Sequence, residues 1–572
     1  MTTYRTVTRA ATAALAAAIG AGALGLAGCK DATSLHETAQ TFISPDRYYK
    51  SDAEASAAVN GAYAPLMSWN GWKSPAQFSV MCDDNEMTCW NWMAGGWSGN
   101  QGGQWYMQDN SVYIGDYQMI ERANEVLANV PGSSGISAAE KKLASGQAYF
   151  IRGYAYFDLV RRYGGVPIRT KAYVPDPNNG ALARSDPATV WQQAASDLRQ
   201  ATTMLPATYS NPNGQGLPRL ATAWGLLAKV YLHMAGDEAT GTALAANKAA
   251  YLDSARSAAQ QEMGDPSVSL ESNYMSLYDI NKQNTSPEIL FAVQGAAVNN
   301  NGSQIPAYLT PAGDCTLVGG CGDGFLSIRE DFYRGFERGD VRVAPNTAVA
   351  MSWEYTRSAA GKIRVLQTDS LAKLKAAGLV VKDTAFSSGS WTEGCAAFGT
   401  NLDSMTIKDP SSGMTSTAVY GVSRPFYSLK YVDPQHLSSD QAAANNFIIL
   451  RHADVLLVFA EAENEVNGPT AAAYSAINQV RARAGLAPLA GLGQAQFRQA
   501  VWTEREHELY AEFQARFDLV REGRWLTVMN APSPIADLAT GACRPRQAFQ
   551  KLQNIPSREL AANPLMTQNP GY

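Results

Sequence analysis

The sequence predicts an all-α-dominated fold in which antiparallel helix pairs stack, interrupted by long loop excursions and a few short strands. Three observations predict it. Apolar residues recur at helical spacing over most of residues 52–261 and again from 447 to 522. Glycine and proline punctuate those stretches, as at Pro131-Gly132, at Gly164-Gly165 with Pro167, and at Asn467-Gly468-Pro469. Residues 68–110 and 295–446 lose the rhythm and are rich in Gly, Ser and Asn.

The first residues are an address rather than an element of the fold. Arg5 and Arg9 precede an apolar run over 11–26, long enough for a signal sequence and short for a membrane span. It ends in Leu26-Ala27-Gly28-Cys29, which resembles a lipobox: small residues fit the signal peptidase, and the cysteine thiol takes a diacylglycerol group. Residues 1–28 are thus read as a signal peptide, Cys29 as the lipidation site and 29–45 as a lipidated polar tether. More than one acyl chain anchors stably where a single chain does not. Lys30 stands where an aspartate would mark inner-membrane retention.

The body follows as one integrated globular unit in three stretches: helical 46–294, loop-rich and variable 295–446, and helical 447–572. Ala55, Val59 and Tyr63 share a face of a helix over 52–66. Helices are expected over 113–130 and 138–163, the second apolar nearly all round in its later half and therefore placed between other layers. Further helices are expected over 189–205, 222–235 and 249–261, a short strand over 288–293 and a short helix over 370–377. Helices resume at Phe447, stop at Asn467-Gly468-Pro469, and restart under a Thr470 cap with Gly485 past the end. That pair with its tight turn has the form of a tetratricopeptide hairpin. One long helix is expected over 495–522, then a coil tail over 555–572.

The formal charge is −5, and −7 once Arg5 and Arg9 are removed, which argues against a nucleic-acid partner. Cys82 with Cys89, and Cys315 with Cys321, are spaced for local disulfides in an exported protein; Cys395 and Cys543 are left for a third, and sequence alone does not choose the pairing. No CxxC is present and the five histidines are scattered, so no metal site is assigned.

Six of the twelve tryptophans, Trp69, Trp72, Trp90, Trp92, Trp97 and Trp105, fall in one window. An indole stacks on the apolar face of a sugar ring, and carboxylates and amides bond its hydroxyl rim. Trp72, Trp90, Trp92 and Trp97, with Asp83, Asp84 and Asn91, are therefore the expected ligand-binding residues, joined by Tyr308 and Trp353 from mid-chain. Any one of these indoles taken alone is as well explained as a core plug. The cluster favours binding, because a loop rich in Gly and Asn makes a poor core. No catalytic residue is assigned. Glu504, Glu508, Glu512 and Arg516 form one helix stripe that reads as internal ion pairs. His507-Glu508 begins a zinc-protease motif, but position 511 is Ala. Paired carboxylates for glycan hydrolysis have no fixed spacing, so a surface hydrolase stands as a lesser alternative.

Several strings resemble the SusD/RagB family of nutrient-binding outer-membrane lipoproteins. They are residues 146–159 with 162–167, Asp197-Leu198 with Leu205-Pro206, 228–232, 450–457 with 461–465, 477–485, 504–521, and the terminal Ile555-Pro556, Asn563-Pro564 and Gln568-Asn569-Pro570-Gly571-Tyr572. The resemblance implies tetratricopeptide-like helix pairs and a lipid-anchored place on the outer membrane, facing the exterior. It implies partnership with a TonB-dependent, SusC-like transporter and a glycan ligand held by an N-terminal and a mid-chain loop, carried over to Trp90, Asn91 and Trp92. Peptide is the alternative cargo, as in some members. No cofactor is implied; calcium occurs in some relatives, but this chain has no Asp-x-Asp-x-Asp loop. Residues 295–445 match no family string, and that is where ligand choice would lie.

Overall fold

The first helix begins where a side chain caps it. Ser51 accepts the Glu54 N–H and opens α1 (Asp52–Tyr63), which tightens into a 3-10 turn over Ala64–Met67. The computed structural model describes residues 48–74, 77–78, 80–89, 111–173, 180–209, 216–237, 242–297, 302–310, 326–329, 332–333, 335–344, 347–356, 362–366, 380–387, 392–393, 396–397, 402–408, 415–420, 426–435, 443–531 and 546–572. Lys50–Tyr572 is one unit and Met1–Tyr49 another. Residues 1–28, expected to be a signal peptide, and the tether expected over 29–45, Cys29 included, lie outside the described residues.

A short strand, β1 (Met87–Cys89), precedes α2 (Ser111–Asn129). Ser137 accepts the Glu140 N–H at the head of α3 (Ala138–Tyr163), and Gly164 ends it at φ 70°. From Ala144 to Tyr163 every residue but Tyr149 is buried, because α1, α2 and α4 (Pro187–Met204) all pack on this helix. A Cβ on Gly153 would lie 2.9 Å from Leu198 Cγ, so the missing side chain sets how closely α3 and α4 approach. Arg152 spans the seam with two bonds to Asp197, 2.8 and 2.7 Å.

The stack continues through α5 (Leu220–Met234) and α6 (Lys248–Met263). Strand β2 (Ile289–Val293) matches the expected one. After the short α7 (Ile305–Leu309) the loop-rich stretch holds more strand than its composition predicted. It contains β3 (Leu326–Ile328), β4 (Val349–Thr356), β5 (Lys362–Leu366), β6 (Val380–Ser387), β7 (Thr392–Glu393), β8 (Ala396–Ala397), β9 (Leu402–Lys408), β10 (Thr415–Tyr420) and β11 (Phe426–Ser428). They form a five-stranded sheet in the order β1-β3-β11-β4-β5, a three-stranded sheet β10-β9-β6 and the pair β7-β8, all antiparallel. The helix expected over 370–377 lies outside the described residues.

Phe447 starts a strand, not a helix. Phe447, Ile448, Ile449 and Leu450 are consecutive bulky apolar residues, which suit a strand buried on both faces. They make β12 (Phe447–Arg451), antiparallel to β2. That pairing closes the whole excursion, so α8 (His452–Asn467) packs directly on α6 and α5 and continues the N-terminal stack. The Thr470 cap opens α9 (Ala471–Arg483) as expected, its hydroxyl accepting the Ala473 N–H.

The single helix expected over 495–522 is two: α10 (Gln494–Leu509) and α11 (Ala515–Arg521). Ala511 and Phe513 take φ of 59° and 63°, which a right-handed helix forbids. Tertiary bonds hold them there: the Ala511 N–H donates to Glu86, and the Glu512 carboxylate receives Arg451 at 2.9 and 3.0 Å and Lys430 at 3.1 Å. Two short helices, α12 (Trp525–Met529) and α13 (Ser557–Ala562), complete the described set. The tail is tied down: Asn569 donates to the carbonyls of Tyr163 and Gln553, and Arg184 donates to Asn569 at 2.6 Å.

The acidic stripe of α10 is buried and paired, but with cations distant in sequence. Glu504 meets Arg342 (2.6 Å) and Arg481 (3.0 Å); Glu508 meets Arg451 (2.5 Å), Arg342 (3.0 Å) and Arg483. Glu288 joins Arg451 and Arg483, and Asp340 joins Arg342. Burial pushes the Glu508 carboxyl up, but Arg483, Arg451 and Arg342 outweigh it and hold it at about 2. Carboxylates locked in this way have no access to a substrate.

Candidate ligand-binding face

The five-stranded sheet brings together two loops that are far apart in sequence. Met87 lies opposite Ile328 and Cys89 opposite Leu326. The antiparallel register therefore puts the departure point of residues 90–110 beside the arrival point of residues 311–325. Trp353 lies in β4 of the same sheet, opposite Val365 of β5; its side chain falls outside the described part. The N-terminal tryptophan segment and the mid-chain excursion thus share one support. Trp90, Asn91, Trp92 and Trp97 themselves lie outside the described residues, as do Cys315 and Cys321 and the side chains of Cys82 and Cys89.

The root of that support is riveted to the C-terminal helices. Asp84 Oδ1 accepts the N–H groups of Glu86 (2.9 Å) and Met87 (3.3 Å), which turns the chain into β1. Glu86 accepts the Ala511 N–H at 3.1 Å, and its own carbonyl accepts the Arg329 N–H at 2.9 Å. Asp83 receives Arg516 (2.7 Å) and Arg546 (2.9 Å), and its carbonyl receives the Trp525 indole N–H at 3.0 Å. Burial raises the Asp84 carboxyl to about 8 and raises that of Glu86 as well, Asp84 adding to the second shift.

Four expected ligand residues change role. Asp83 and Asp84 are spent on the bonds just given, and Asp84 is buried. Trp72 is only 3 % exposed; its ring lies 5.2 Å from that of Phe513 and 5.5 Å from that of Phe447, and its N–H donates to the Tyr154 hydroxyl. Tyr308, also buried, stacks on Phe78 at 4.0 Å. All four build the frame, because each ring or carboxylate is engaged by neighbours in the fold. Their sequence signal, aromatic and acidic residues in one window, is the same for a frame as for a site.

Trp69 behaves oppositely. It was one of the window but not singled out, and it is 58 % exposed, on a turn where the Gly71 N–H donates to the Ser68 carbonyl and the Trp72 N–H to that of Leu66. The turn rests on α2 where Gly115 has no side chain; a Cβ there would lie 1.8 Å from the Asn70 carbonyl oxygen. Its place after Pro65 and before Gly71 was the available signal for an exposed tip.

Fold and face together define a class: a helical-repeat scaffold that displays loops from a small sheet. The SusD family model matches residues 406–572, and a second model, described as starch-binding associating with outer membrane, matches 43–232. SusD-like protein P2 of Formosa agariphila is 25 % identical over 96 % of this chain and 98 % of its own. A solved SusD homologue from Bacteroides thetaiotaomicron superposes with a TM-score of 0.71 at 21 % identity, covering 93 % of this chain and 99 % of its own. Surface glycan-binding protein A from the same species, in complex with laminarihexaose, superposes at 0.65 with 18 % identity, covering 91 % and 99 %. The chain belongs to the SusD/RagB family.

Proposed function

We propose that this protein is a lipid-anchored receptor on the outer membrane, facing the exterior, that binds a glycan and passes it to a TonB-dependent, SusC-like transporter without cleaving it. The observation that carries the reading is the shared sheet: it roots the tryptophan-rich segment beside the mid-chain excursion, so side chains from both can meet one ligand. Trp90, Asn91, Trp92 and Trp97 stack on and bond the sugar, with Trp353 in the sheet that roots them. A solved structural neighbour carrying laminarihexaose supports a glycan as the ligand class. The Leu26-Ala27-Gly28-Cys29 motif supports the anchor. No helix among the described residues is long and apolar enough to cross a membrane.

Isothermal titration against a panel of hexasaccharides tests this. At least one glycan binds, and the W90A/W92A double variant loses at least tenfold in affinity with an unchanged unfolding profile. Unchanged products after long incubation with the bound glycan, and co-purification of a barrel protein from native membranes, are the accompanying expectations. Binding of peptide mixtures but of no glycan would overturn the ligand class.

A further inference from the structure

We propose that a second site for a neutral oligosaccharide lies in a trough walled by α1, the start of α3 and strand β2, elements outside the five-stranded sheet. The proposal shares its ligand class with the reading above, but not its residues. Two hollows, of about 700 and about 380 Å³, lie on either side of one shared wall that includes Tyr209, Leu217, Phe291 and Gln294. Each falls within the range of ligand sites, and two hollows side by side on shared residues suit an extended oligomer better than a single small molecule.

The aromatic floor is fixed in advance. Tyr63 and Tyr209 are half-buried. The Tyr63 hydroxyl donates to the Gln147 carbonyl (3.1 Å), the Gln147 amide donates to the Tyr209 hydroxyl (3.0 Å), and that hydroxyl donates to the Pro218 carbonyl (2.8 Å). Phe291 backs Tyr63 edge-on at 6.5 Å. Rings held this way lose little freedom when a sugar face settles on them.

The rim is amide. Asn60, Asn284 and Gln294 are exposed. Gln294 and Asn446 both donate to the Asn284 carbonyl oxygen, at 3.1 and 2.7 Å. That leaves the Gln294 carbonyl and the Asn284 NH₂ without partners among the described residues, one acceptor and one donor for hydroxyls. The charged lining is engaged: Glu140 accepts from Ser56 at 2.9 Å, and Arg219 donates to Ser267 and lies 3.7 Å from Asp265. Fixed aromatic rings and free amides, with the one cation paired and the one carboxylate hydrogen-bonded to Ser56, describe a binder of neutral, hydroxyl-rich chains.

Hydrogen exchange of the detergent-solubilised full-length protein, read with laminarihexaose, maltohexaose, cellohexaose and mannohexaose, tests the proposal. One of these protects peptides covering 56–67 and 289–294, and does so in W90A/W92A as well. In the N60A/Q294A variant, both positions being exposed, that protection is lost and affinity for this site falls roughly fivefold, the size expected for two hydroxyl–amide bonds. Protection restricted to other segments, or N60A/Q294A identical to wild type, overturns the trough while leaving the receptor function standing. Loss of trough protection in W90A/W92A overturns it as an independent site. Protection by a casein digest and by none of the sugars overturns its ligand class.

Discussion

Replacing Glu508 with Gln keeps the shape and removes one buried negative charge from among three guanidinium groups. In the native protein Glu508 is fully enclosed and bonded to Arg451 and Arg342 at 2.5 and 3.0 Å, with Arg483 as its third partner. A fall of its carboxyl from 4.5 to about 2 corresponds to about 3 kcal/mol of native-state stabilisation. Removing one partner from a buried pair independently suggests roughly 3–5 kcal/mol, because the cations left behind stay desolvated. Urea unfolding at pH 7 should therefore show E508Q less stable by about 3–5 kcal/mol. The folded pKa is depressed, so the wild type holds this advantage above pH 4.5 and loses it as pH falls from there towards 2. The gap between wild type and variant stays constant from pH 7 to 5 and narrows below 4.5. A gap under about 1 kcal/mol at pH 7, or one that does not narrow in acid, would refute the account of these charges as mutually dependent.

Three other outcomes are expected. W72A loses roughly 3–5 kcal/mol of stability from a cavity between Phe447 and Phe513; glycan affinity per folded molecule, measured by titration, stays within about twofold if the ring is frame and not platform. D84N keeps an acceptor for the Glu86 and Met87 N–H groups and cannot ionise. Since the folded carboxyl is raised to about 8 from 3.8, wild-type stability falls as pH rises across that window, and D84N becomes the more stable at pH 8 while nearly equal at pH 4; denaturant midpoints at the two values decide it. C29A should move the protein out of the membrane fraction after a carbonate wash, with its circular dichroism unchanged; retention in the membrane would contradict the lipid anchor.

The helical frame was legible because amphipathic period and caps act locally: Gly164 and Thr470 mark ends that the structure keeps. Two boundaries were not. Phe447–Arg451 has no helix-breaking residue, and its strand state comes from a partner about 150 residues earlier, which no local window contains. The break after Leu509 is held by Glu86, Lys430 and Arg451, again distant in sequence. At the candidate face, composition found the window but not the orientation within it. Trp69 and Trp72 stand three positions apart, one exposed and one sealed, and only the tight turn at Ser68–Gly71 separates their fates. The cations of the acidic stripe were unreadable for the same reason: Arg342 and Arg451 approach Glu508 only in three dimensions.

The charged knot at the heart of the molecule also sets a timetable. Its cations come from positions 342, 430, 451, 481 and 483; some of the carboxylates that neutralise them, at 288, 337 and 340, come earlier, and the others, at 504, 508 and 512, come after every one of the cations. A chain emerging from the ribosome holds those cations with only part of their counter-charge until residues 504–512 arrive. Closure before then would strand the surplus positive charge in a dry interior, so the knot can lock only after about nine-tenths of the chain has been made.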